Sequence, residues 1–157
     1  MRVTISRIGV VLWIGVIFFS STSLAAQWCE ELFATLSSML LPHLSAAHPS
    51  YKHLHFIAEK SVHVTLFMLF AVLLWNAIPN KPRKITAIFL SSLLVACMAE
   101  FIQFFFPGRD PALRDVMIDL GGTAIGVGII TKIFAKSVKA ERTVSRGGER
   151  ATHAMRR

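Results

Sequence analysis

Residues 99–126 read AEFIQFFFPGRDPALRDVMIDLGGTAIG, two apolar runs joined at Pro107-Gly108 and carrying Glu100, Gln103, Arg109, Arg114, Asp115 and Asp119 at and between their ends. A run that only had to cross a membrane would not need these groups, because ionisable side chains inside a span are costly in lipid. They are retained where they face partners, water or a ligand, so by default they mark a functional site. The rest of the chain reads as the scaffold of this cluster.

Working outward, residues 85–106 provide 22 positions, enough to cross a bilayer with some tilt. Residues 116–135 form the next span, in which Gly121, Gly122, Gly126 and Gly128 give one smooth side. Gly122 and Gly126 make a small-xxx-small pattern, the usual device for close helix packing in membranes. Upstream, residues 61–78 form a shorter span, followed by a basic turn of Asn80, Lys81, Pro82, Arg83 and Lys84. Residues 8–26 are uncharged and follow Arg2 and Arg7, which suits a first transmembrane helix. The rival reading is a cleaved signal peptide over residues 1–25, with an apolar core at residues 8–19 and Ser23-Leu24-Ala25 as the cleavage site.

Between the first two spans lies a connection of mixed character. Trp28, Leu32, Leu36, Met39 and Leu40 recur at near-helical spacing before Pro42, as in a segment lying flat on the outer leaflet. His43, His48, Pro49, His53 and His55 then argue for a loop. His53 and His55 could ligate a metal with His63, but without Cys or carboxylate spacing the expectation is no metal.

Composition agrees with a membrane class. The chain has 157 residues, of which 54% are hydrophobic, and a mean hydropathy of +0.56, too apolar for an ordinary soluble domain. Its net charge of +8 does not point to nucleic acid. Lys132, Lys136, Lys139, Arg142, Arg146, Arg150, Arg156 and Arg157 cluster in or after the last run, like a basic cytoplasmic tail on a membrane surface. Residues 135–157 are expected to be disordered. Cys29 and Cys97 have no ligand spacing around them, so neither a disulfide framework nor a zinc site is indicated, and no cofactor is expected.

The fold expected is therefore all-α, an integral membrane bundle of four transmembrane helices within residues 1–134. Cations at the amino terminus, in the turn at 80–84 and in the tail put both termini in the cytoplasm. Lys60, His63, Glu100, Gln103, Arg109, Arg114, Asp115 and Asp119 then gather in the outer leaflet, with Glu100 ~9 Å below its helix end and Asp119 ~6 Å below Asp115 at 1.5 Å per residue. Lys60, His63 and Phe67 share one helix face, Glu100 and Gln103 another, and Asp115, Asp119, Gly122 and Gly126 a third. The plainer reading is a neutralised ion network, Lys60, Arg109 and Arg114 against Glu100, Asp115 and Asp119. Buried pairs seldom stabilise more than apolar packing does, so stability alone explains such a network poorly.

At these residues the chain resembles the VanZ-like family of small membrane proteins. Phe18-Phe19-Ser20-Ser21 is similar to that family's aromatic-Ser-Ser end of the first helix, and Lys60-Ser61-Val62-His63 to its Lys-x-x-His opening of the second. Glu100 and Gln103, Pro107 and Arg109, and Asp115 with Asp119, Gly122 and Gly126 match its E-x-x-Q, P-x-R and D-x-x-x-[ND]-x-x-G-x-x-x-G string. The match covers about residues 10–134. Val64 stands where an aromatic is usual, Glu59 where Arg is common, and Asp119 where Asn is frequent. The resemblance implies a multi-pass protein of the bacterial cytoplasmic membrane and an envelope role, which in some members lowers sensitivity to lipoglycopeptide antibiotics.

Three functions compete on this reading. The first is binding of a polar lipid head group or cell-wall precursor, with Lys60, Arg109 and Arg114 gripping phosphate or carboxylate. The second is an intramembrane enzyme acting on an envelope lipid, with Glu100 as general acid or base and His63 as its partner. The third, proton or ion movement, ranks last because the polar groups stop in one leaflet.

Overall fold

The computed structural model describes residues 2–40 and 49–154, with side chains for residues 5–40 and 50–135. Among the described residues there are five helices and no strand: α1 (Arg2–Ser20), α2 (Ser23–Leu40), α3 (Pro49–Ala77), α4 (Lys84–Gln103) and α5 (Leu113–Ala154). Three stretches, Ser50–Ala77, Lys84–Gln103 and Leu113–Ala135, are long and apolar enough to cross a membrane. A fourth span is added if α1 and α2, bent by 75°, count as one broken crossing.

That bend corrects the expected straight span over residues 8–26. Its cause is local. Ser20 Oγ and Ser21 Oγ both donate back to the carbonyl of Ile17, at 2.7 and 3.2 Å, and Thr22 Oγ1 donates to that of Phe19 at 2.8 Å. Hydroxyls that bond to the preceding turn compete with the backbone ladder and bend helices. Thr22 Oγ1 also accepts the Ala25 amide at 3.3 Å, an N-cap bond that starts the next helix in a new direction.

Two further expectations need correction. In the connection at residues 27–60, α2 carries the near-helical spacing of Trp28 to Leu40, but the stretch expected as loop is helix from Pro49, where α3 begins. Proline fits the first helical position, where its missing N–H costs nothing, so Pro49 opens a helix instead of marking a loop. His53 and His55 therefore sit on α3, and two residues apart they point to different sides. His55 packs edge-on against Phe33 of α2, with ring centroids 5.1 Å apart. His43 and His48 lie outside the described residues. The second correction is at the C-terminus, where α5 continues as helix to Ala154 in place of a disordered tail from residue 135. Ala, Lys, Glu and Arg are good helix formers, and extending an existing helix needs no new nucleus.

Contacts between helices fix their directions. Gly9 lies near Leu73 and Trp13 Nε1 donates to the Leu66 carbonyl at 2.9 Å, so α1 and α3 are antiparallel. Gly122 meets Val64 and Gly126 meets Met68, so α3 and α5 run parallel. Between them α4 returns the chain over ~30 Å, the rise of 20 residues. The turn at residues 80–84 and the loop at 104–112 consequently lie at opposite ends of the bundle.

Phe67, Phe70, Ala71 and Leu74 of α3 form the middle of the core with Ile17, Ile88, Val95, Ala96, Ala99, Val116 and Val127. Much of the outside is apolar as well, including Val11, Leu12, Leu32, Leu36, Leu90, Leu94, Phe101, Met117 and Ile129. An apolar core inside an apolar exterior is what lipid requires and water does not tolerate.

Candidate functional site

The charged residues gather at the end of the bundle where α1 and α4 finish and α5 begins. The loop that allows this is a turn from Phe106 to Arg109. The Arg109 amide bonds the Phe106 carbonyl at 3.3 Å, and Gly108 has φ +79°, the conformation a type II turn asks of glycine after proline. Glu100 then ties the loop down. One of its oxygens accepts the Ala112 amide at 2.8 Å, and the other accepts Gln103 Nε2 at 3.2 Å. Both residues are buried. Glu100→Ala should leave that amide without its acceptor, costing about 1–3 kcal/mol and speeding amide hydrogen exchange across residues 109–113. Wild-type exchange there would show that the loop is held by something else.

The expected network forms in part: Asp115 meets Lys60 and Arg114, while Asp119 and Glu100 take other partners. Lys60 Nζ donates to Asp115 Oδ2 at 2.7 Å, joining α3 to the first turn of α5, and both side chains are largely buried, 13% and 7% exposed. One turn deeper, His63 Nδ1 meets Asp119 Oδ1 at 3.2 Å. Asp119 is fully buried, and its Oδ2 has no partner among the described residues. Among the described residues Glu100 pairs with no cation and serves the loop instead.

Arg109 reaches across to α1, where Nη2 donates at 3.2 Å to the carbonyl of Ser20 at the bend. Its Nη1 lies 3.6 Å from Glu59 Oε1, while its Nε is buried without a partner. Arg114 stays at the edge, its side chain 64% exposed and 3.6 Å from Asp115, with its guanidinium 5.0 Å from the Phe56 ring centroid. Lys60, His63, Glu100, Gln103, Arg109, Arg114, Asp115 and Asp119, singled out in the sequence, all lie at this end of the bundle. Sequence reasoning missed Glu59, Ser20 and Asp110, which share the same space. A carboxylate one residue before Lys60, and a serine run inside an apolar stretch, were the signals that could have found the first two.

All of these residues except Glu100 and Asp119 line a cavity of about 480 Å³. Its polar lining includes Glu59, Lys60, His63, Gln103, Arg109 and Asp115. Apolar side chains share the lining, Ala25, Leu32, Phe33 and Leu36 of α2, which also contributes Glu30, and Val62 of α3. No group of three His, Cys, Asp or Glu among the described residues is arranged to hold a metal ion.

Beneath the cavity, glycine holds α3 and α5 together. A Cβ on Gly122 would fall on the Val64 carbonyl oxygen, and one on Gly126 would lie 2.5 Å from that of Met68. The close approach lets short side chains such as Asp119 reach His63 from the neighbouring helix.

A bundle of this kind, with membrane-span-like helices, an apolar exterior and ionisable side chains turned inward at one end, fits a small polytopic membrane protein. The family model for VanZ/LLP1 matches residues 8–135, and the chain belongs to that family. No curated protein and no solved structure was found to match it.

Proposed function

We propose that the cavity binds an amphiphile at the cell envelope, a polar lipid head group or a lipid-linked cell-wall precursor. The observation that carries this is one cavity lined by both charged and apolar side chains, which suits a molecule carrying both kinds of group. Arg109 and Arg114 supply planar guanidinium groups suited to phosphate or carboxylate. Leu32, Phe33 and Leu36 supply a surface for an acyl or prenyl chain.

With the cations of the amino terminus and of the 80–84 turn in the cytoplasm, four crossings put the cavity on the outer side of the bacterial cytoplasmic membrane and both termini inside. Labelling single cysteines at positions 82 and 110, after replacement of the exposed Cys29 and Cys97, should find them in different compartments. Labelling from the same side would defeat this topology. An effect on lipoglycopeptide susceptibility would follow if the bound amphiphile were the precursor that such antibiotics recognise.

The binding test is mass spectrometry of lipids retained on purification. Arg109→Ala should lose the retained amphiphile at least about tenfold, the worth of one or two charge-assisted bonds. Arg114→Ala, at an exposed site where folding is not at stake, should show a smaller loss in the same species. Retention unchanged in both variants would refute the proposal.

A second reading, an intramembrane acid/base enzyme, is favoured by one specific observation. His63 lines the cavity while its Nδ1 meets a buried carboxylate, the arrangement that orients an imidazole for proton transfer through its other nitrogen. In this reading Asp119 replaces Glu100 as the partner of His63, since both Glu100 oxygens are occupied. His63→Gln should abolish turnover of the retained lipid while leaving its binding in place. Turnover at the wild-type rate would remove the enzyme reading.

A further inference from the structure

We infer that the head group accepted by this cavity is zwitterionic, an ammonium beside a phosphate or carboxylate. The inference rests on the reading of the cavity as an amphiphile site. Its ground is the balance of charge along the walls. Three cations line the space, Lys60, Arg109 and Arg114, against four carboxylates, Glu30, Glu59, Asp110 and Asp115.

These charges are not equally available. Lys60 is committed to Asp115 at 2.7 Å and has little left for a ligand. Arg109 Nη1 and Glu59 Oε1 lie 3.6 Å apart, longer than a hydrogen bond, so an anionic group can compete with Glu59 for that nitrogen. Arg114 is exposed over Phe56. Glu30 and Asp110 are exposed and line the cavity with no ion pair among the described residues.

The cavity thus offers the exposed guanidinium of Arg114, that of Arg109 held to Glu59 only at 3.6 Å, and two carboxylates with no ion pair among the described residues. A bare dianion would be held by the arginines but set against Glu30, Glu59 and Asp110, and like charges in an interface select against the wrong partner. A lone ammonium would meet the opposite conflict at Arg109 and Arg114. A head group carrying both signs answers both sets of charges at once.

The test compares two short-chain diacyl lipids that differ only beyond the phosphate, a phosphoethanolamine and a phosphoglycerol. Each is titrated into the full chain in a neutral maltoside detergent, with bound lipid read by native mass spectrometry. The phosphoethanolamine should bind about tenfold more tightly, the scale of one charge-assisted contact. Glu30→Gln combined with Asp110→Asn, both at exposed positions, should bring it down to the phosphoglycerol level without weakening the phosphoglycerol. Equal binding of the two lipids to the wild type would overturn the inference while leaving the cavity a lipid site. A preference that survives the double variant would overturn the assignment to Glu30 and Asp110, and failure of both lipids to bind would remove the parent reading as well.

Discussion

Gly122→Ala is expected to cost the folded bundle about 3 kcal/mol, the upper part of the overpacking range, and to lower the thermal midpoint of the purified protein in detergent accordingly. A methyl group there would fall on a backbone carbonyl of α3, which cannot swing aside as a flexible side-chain end could. The helices must separate, and the contacts of Lys60 with Asp115 and of His63 with Asp119 stretch with them. Gly121→Ala and Gly128→Ala are the controls, since a Cβ at either position meets nothing within 4 Å. They should be neutral or stabilising by up to ~1 kcal/mol from helix propensity. If all three variants melt alike, the close approach of α3 and α5 is wrong.

The second large effect concerns Lys60. Removing one partner of a buried ion pair strands the other charge, at a cost of about 3–5 kcal/mol, whereas replacing both by apolar groups of similar size is often neutral or stabilising. Lys60→Met should therefore destabilise strongly, since Asp115 is buried. Lys60→Met with Asp115→Leu should recover most of the loss. A denaturant titration of the two single variants and the double one measures the coupling directly. Additive losses would mean that the 2.7 Å contact contributes little and that each residue is needed for another reason.

The parts of this architecture that the sequence disclosed are those written within a single helix. Spacing of three and four residues put Lys60 with His63, Glu100 with Gln103, and Asp115 with Asp119 and Gly122 on shared faces. Lipid leaves such faces only the interior to turn toward. Pairing between helices was less legible, because it depends on how each rod is rotated and how far it slides. Asp119 therefore went to His63 and Glu100 to a loop amide, not to the arginines.

The bend after Ser20 was hidden for another reason. Hydropathy counts serine and threonine as mild interruptions, while their effect here comes from hydroxyls bonding back to Ile17 and Phe19. The start of α3 was misread because proline and histidine are common in loops, yet Pro49 opens the helix and His55 packs against Phe33. Glu59 was passed over because it departs from the usual residue of the family. Its position opposite Arg109 gives that departure a role.

If the cavity binds an amphiphile as proposed, the elbow between α1 and α2 sets its route. Leu32 and Leu36 both line the cavity and lie exposed on α2, so a guest would enter from the surrounding leaflet by a sideways step in two dimensions. Occupancy would then follow its mole fraction in that leaflet, not its concentration in water. Diluting the membrane with inert lipid should empty the pocket even when the total amount of guest is held constant.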